Sequence, residues 1–118
     1  MTNSTQTIAP AQLPETITSY LTAHQARELD TAIGCYTADA TVVDEGNTYR
    51  GPDEIRGWLE RSASEYTYTI ELTGAQRIDD DHYVAIHHLE GDFPGGVVDL
   101  RFQFTLREGR IAALTIEP

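Results

Sequence analysis

From Val97 to Arg107 the chain alternates without a break. Val98, Leu100, Phe102, Phe104 and Leu106 fall on one side of an extended backbone, and Asp99, Arg101, Gln103 and Thr105 on the other. A strand of this length with one apolar face needs neighbours along its edges and a cover over that face. The flanking sequence supplies the neighbours. Tyr66 to Leu72, His82 to Phe93 and Ile111 to Ile116 read as further strands, separated by turns at Asp79-Asp80-Asp81, Pro94-Gly95-Gly96 and Glu108-Gly109. The three aspartates form a turn rather than a metal site, because adjacent side chains do not converge and a calcium-loop spacing is absent.

The cover comes from the first half of the chain. Pro14 opens a helix in which Ile17, Tyr20, Leu21 and His24 share a face, and after a break over residues 25–28, Leu29, Ala32, Ile33 and Tyr36 repeat the spacing in a second helix weakened by Gly34. Residues 39–52 read as a strand, a Glu45-Gly46-Asn47 turn and a short return strand. A third helix starts at Gly51-Pro52-Asp53-Glu54, with acids suited to the helix dipole and Ile55, Trp58, Leu59 and Ser62 on its buried face. In the first strand Val42 and Asp44 share a face. An acid beside an apolar residue is either a strand-end group reaching water or a carboxylate held in a pocket.

At 118 residues, the chain has room for one core, or for one core hollowed by a cavity. Residues 1–12 read as a disordered tail and 13–118 as a single domain. Eight basic residues against 19 acidic ones give a net charge of −11, which opposes binding to nucleic acid or an anionic membrane. All the basic residues are arginines, so Schiff-base chemistry on a lysine is excluded. The single cysteine, Cys35, is expected inside a helix, and it rules out an intrachain disulfide or a two-cysteine zinc site. His82, His88 and Glu90 spread over about 20 to 27 Å of strand, too far for one ion. No metal and no cofactor are expected, and the polar start of the chain and the lack of a membrane-length apolar run suggest a cytoplasmic protein.

The order helix, helix, strand pair, helix, four strands, together with Ala40-Thr41-Val42-Val43-Asp44 and the run Tyr49 to Trp58, resembles the nuclear transport factor 2-like superfamily. The likeness is nearest to its SnoaL-like and ketosteroid-isomerase-like members and covers residues 13–116. The resemblance implies an α+β cone: a curved antiparallel sheet wrapped on three helices around an apolar pocket. It places Tyr20 where ketosteroid isomerase keeps its oxyanion tyrosine and Asp44 where it keeps its base. Phe102 stands where that enzyme has a protonated acid, a departure from the pattern.

A carboxylate in an apolar cavity is suited to removing a proton next to a carbonyl, and a tyrosine hydroxyl to stabilising the resulting enolate. The resulting expectation is a proton-transfer isomerase or cyclase for a small hydrophobic carbonyl compound, with Asp44 and Tyr20 catalytic. Val42, Trp58, Ile86, His88, Glu90, Leu100, Phe102 and Phe104 are expected to line the pocket. Each residue also has a plainer explanation: Tyr20 and Trp58 as core, Asp44 as a turn acceptor, His88 as a structural hydrogen-bonding group. Two other functions fit the chain. One is a non-catalytic module dimerising through an outer sheet face of Tyr83, Ala85, His87 and Leu89 with Asp99, Arg101 and Gln103. The other is an epoxide-hydrolase-like hydrolase, which requires Asp99 and Arg101 to enter the pocket.

Overall fold

The computed structural model describes residues 5–65 and 68–118. The elements in chain order are β1 (Gln6–Ile8), a 3-10 turn (Pro10–Gln12), α1 (Glu15–Ala26), α2 (Leu29–Gly34), β2 (Tyr36–Asp44), β3 (Asn47–Arg50) and α3 (Gly51–Glu65). They are followed by β4 (Tyr68–Asp79), β5 (His82–Gly91), β6 (Val97–Arg107) and β7 (Arg110–Glu117). Ser62, expected on a buried helix face, and Tyr66 and Thr67, expected at a strand start, lie outside the residues whose side chains are described.

Seven strands form one curved sheet in the order β1-β4-β5-β6-β7-β2-β3, antiparallel except where β2 runs parallel to β7. The fold is the α+β cone. Its turns follow from residue chemistry. Glu45 and Gly46 have φ of 54° and 78°, and Glu108 and Gly109 have 53° and 77°, as the two-residue loop of a tightly twisted hairpin requires. Asp79 Oδ1 accepts from the backbone N–H of Asp81 at 2.8 Å and lies 2.7 Å from His82 Nδ1, closing the β4–β5 turn. At the start of α3, Glu54 Oε1 accepts from the Arg50 backbone N–H at 2.8 Å.

The helices lie against the concave side of the sheet. Ile17, Tyr20 and Leu21 of α1, Ile55, Trp58 and Leu59 of α3, Val42 of β2, Phe102 and Phe104 of β6 and Ile111 and Leu114 of β7 belong to one buried cluster. Truncating a side chain such as Ile55 or Leu114 to alanine in a core of this kind costs about 2–5 kcal/mol.

Four expectations change. Part of the stretch read as a tail is built into the fold: Gln6, Thr7 and Ile8 pair with Arg77, Gln76 and Ala75, so the edge of β4 is covered. Residues 1–4 lie outside the described residues. Tyr36 begins β2 rather than ending α2. The helix stops at Gly34 with Cys35 as its cap, and Cys35, half-buried, sits at that boundary with its thiol 3.5 Å from the Thr31 carbonyl. The third and fourth changes concern β5. Ala85 pairs with Phe102, His87 with Leu100 and Leu89 with Val98, so Tyr83, Ala85, His87 and Leu89 face the concave side. They are therefore not on the outer face, which carries Val84, Ile86, His88 and Glu90. The alternation in β5 does not decide between its faces, because both are apolar; pairing with the one-sided β6 does, and a one-residue slip would turn every side chain over.

Candidate active site

A cavity of about 760 Å³ lies between the end of β2, α3 and the strands β4 to β6. Asp44, the last residue of β2, reaches it from one side, and Trp58 of α3 lies beside it. The Trp58 indole N–H donates to Asp44 Oδ2 at 2.9 Å. This contact joins residues 14 positions apart through the β2–β3 hairpin and the first turns of α3. His24, at the C-terminal end of α1, completes this wall. Its ring is stacked on Trp58 (centroids 6.1 Å apart, 11° between planes) and on Tyr20 (5.8 Å, 10°). Burial lowers the His24 pKa, so its imidazole is neutral at pH 7 and offers one N–H.

The opposite wall is apolar. Ile70 of β4, Leu89 of β5 and Val98, Leu100 and Phe102 of β6 line it, together with Tyr68, Phe93 and Pro94. Tyr68 is raised in pKa chiefly by burial, with Arg27 acting against that rise and the Asp44 charge adding to it.

Of the residues expected from sequence, Asp44, Trp58, Leu100 and Phe102 line the cavity. Val42 and Phe104 are buried in the adjoining core and do not reach it. Ile86, His88 and Glu90 are on the other side of the sheet, where His88 Nδ1 lies 2.7 Å from Asp99 Oδ1 and its Nε2 2.7 Å from Glu90 Oε2. Asp99 shares that outer face, so the paired acid and arginine that the hydrolase reading needs do not form in the pocket.

Tyr20 is fully buried behind His24, edge-on to Tyr36 (centroids 5.1 Å) and Phe104 (6.1 Å). Its hydroxyl lies against that of Tyr36, and within the described residues neither makes a well-aligned hydrogen bond. Burial raises both phenol pKa values, so both hydroxyls stay protonated.

Sequence reasoning missed His24, Leu89 and Tyr68 as lining groups. His24 was visible as the last member of the Ile17, Tyr20, Leu21 stripe. Leu89 was hidden by the ambiguous phase of β5. Among the described residues no three His, Cys, Asp or Glu side chains are grouped to hold a metal ion, and no helix is long and apolar enough to cross a membrane.

The α+β cone defines the fold class, and comparison with known proteins identifies the branch. The profile of SnoaL-like domains matches residues 17–114, and the chain belongs to that family. No curated protein matches it. Among solved structures it is similar to a candidate polyketide cyclase from Sinorhizobium meliloti, at 29% identity and a TM-score of 0.86 over 93% of this chain and 100% of that one. It is also similar to a Catenulispora acidiphila protein of ketosteroid-isomerase-like fold in complex with trimethylamine (22%, 0.77, 94% and 87%). A third similar structure is a Mycobacterium tuberculosis protein in complex with estradiol-17beta-hemisuccinate (14%, 0.72, 87% and 79%). At 22% and 14% identity the likeness is one of fold.

Proposed function

We propose that the chain binds a small hydrophobic carbonyl compound in this cavity and moves a proton on it, as an isomerase or cyclase without a cofactor. The observation that carries the reading is the Trp58–Asp44 hydrogen bond, which holds one carboxylate oxygen in a cavity whose facing wall is apolar, although Glu45, Thr115 and Glu117 also line it, and leaves Oδ1 for the substrate. Asp44 removes a proton from the carbon next to the carbonyl and returns it at another position. The neutral His24 N–H, facing the same space, donates to the oxygen as negative charge develops there. Tyr20, expected from sequence to give that hydrogen bond itself, supports the His24 ring from behind. The small-molecule complexes of the Catenulispora and Mycobacterium proteins fit a pocket of this kind, and the cyclase assignment of the Sinorhizobium protein fits this class of reaction.

The alternative is a ligand-binding module without catalysis, and a homodimer is compatible with either reading. The dimer surface is then the outer face of Ile86 and His88 with Arg101 and Gln103. The two readings separate in an absorbance assay for conversion of β,γ-unsaturated ketones, steroid and monocyclic, to their conjugated isomers. Conversion supports catalysis. A ligand-induced rise in melting temperature without conversion supports binding alone.

A further inference from the structure

We infer that His87 recognises a second oxygen function on the ligand, so that the compound this pocket takes is a hydroxylated ketone with an apolar body between its two polar ends. This rests on the reading of the cavity as a site for a hydrophobic ketone, and it adds what the far end of that ketone carries.

His87 is 0% exposed, and within the described residues neither of its ring nitrogens has a hydrogen-bond partner. A buried polar atom left unpaired costs about 1–3 kcal/mol, and a leucine or phenylalanine at this position would avoid that cost. The imidazole is surrounded by the pocket wall. Leu100 is its direct partner on β6 and Leu72 on β4, and Leu89 lies two residues along its own strand. The Phe102 ring lies 4.4 Å away, tilted by 52°. Leu89, Leu100 and Phe102 neighbour the ring and also line the cavity, so a ligand that displaces them reaches it.

His87 lies on the same face of the sheet as Asp44, three strands away. Asp44 pairs with Ile116, Ile116 with Phe102 and Phe102 with Ala85, two residues before His87. Three strand spacings and a two-residue offset separate the two backbones by roughly 16 Å along the sheet, and side-chain reach and sheet curvature reduce that to about the length of a two-ring compound. Burial, with a smaller effect of His24, lowers the His87 pKa to about 4. The ring is neutral at pH 7, with one donor and one acceptor nitrogen, and a ligand hydroxyl can pair with either.

The probes are 2-tetralone and 6-hydroxy-2-tetralone, which differ only in a hydroxyl at the end remote from the ketone. Dissociation constants would be measured by calorimetry for the wild type, His87→Phe and His87→Gln. The wild type is expected to favour the hydroxylated compound about tenfold, as one well-made hydrogen bond gives. His87→Phe is expected to lose that preference, so that the ratio of its two dissociation constants falls to about one. His87→Gln, which keeps a donor and an acceptor, is expected to retain part of it and provides the comparison should the phenylalanine variant fail to fold. Equal affinities for the two ketones in the wild type, or a preference unchanged in either variant, would overturn the inference and leave the ketone site standing. Failure of the wild type to bind either compound would overturn both.

Discussion

The indole N–H of Trp58 donates to Oδ2 of Asp44 across 2.9 Å, tying the end of β2 to the middle of α3 at the edge of the cavity. The bond fixes which way the carboxylate points. A hydrogen bond to a charged acceptor contributes about 1.5–3 kcal/mol, and this one is only partly screened from water. Trp58→Phe keeps an aromatic ring against His24 and Tyr49 but removes the donor. The expected result is a loss of about 1–2 kcal/mol in stability and about tenfold in kcat, read by denaturant titration and steady-state kinetics.

His87 should make the protein sensitive to acid. Its folded-state pKa, about 4, lies below the ordinary histidine value of 6.5, so the unfolded chain takes up a proton that the folded chain refuses. Stability from this group is complete above pH 6.5 and falls as pH drops toward 4, by roughly 3 kcal/mol across that window. His24, also lowered by burial, acts in the same direction. Melting curves from pH 7 to 4.5 are expected to fall less steeply for His87→Phe than for the wild type.

His88 should do the reverse. It sits on the outer face between Asp99 and Glu90, which raise its pKa, Asp99 contributing more. Its contribution is fully present below the unfolded value near 6.5 and is lost as pH rises through the higher folded value. Relative to His88→Gln, the wild type is expected to lose melting temperature between pH 6 and 9. The effect should shrink in high salt, because the two carboxylates are largely exposed.

Gly46 holds φ at 78° in the two-residue loop directly after Asp44. Nothing lies within 4 Å of a Cβ built there, so a substitution meets backbone strain rather than a clash. Gly46→Ala is expected to cost about 1 kcal/mol in denaturant titration. Gly34 has a similarly open surrounding without a positive φ, and Gly34→Ala in α2 should not carry that strain.

The sheet was legible wherever a strand has one clearly polar face. Val98 to Leu106 against Asp99 to Thr105 sets β6 without ambiguity, whereas β5 carries valine and isoleucine on one face and alanine and leucine on the other. Its phase is decided only by its neighbours, which is why Ile86, His88 and Glu90 were expected in a pocket they do not enter. Tyr36 continued the helical spacing of Leu29, Ala32 and Ile33 although the helix had already ended at Gly34. The shared face of Val42 and Asp44 was readable from strand period alone. The Trp58 partner of Asp44 was not, because no local periodicity links a strand end to a helix 14 residues later.

The proton-transfer reading depends on Asp44, and one comparison tests it most directly: conversion of a β,γ-unsaturated ketone by the wild type and by Asp44→Asn, followed by absorbance of the conjugated product. Asparagine keeps the shape and an oxygen for Trp58 but cannot act as the base. The expected result is a fall in kcat of about 10² to 10⁴ with the fold retained. A variant that turns the same ketone over at the wild-type rate would contradict Asp44 as the base and, with it, the proposed chemistry.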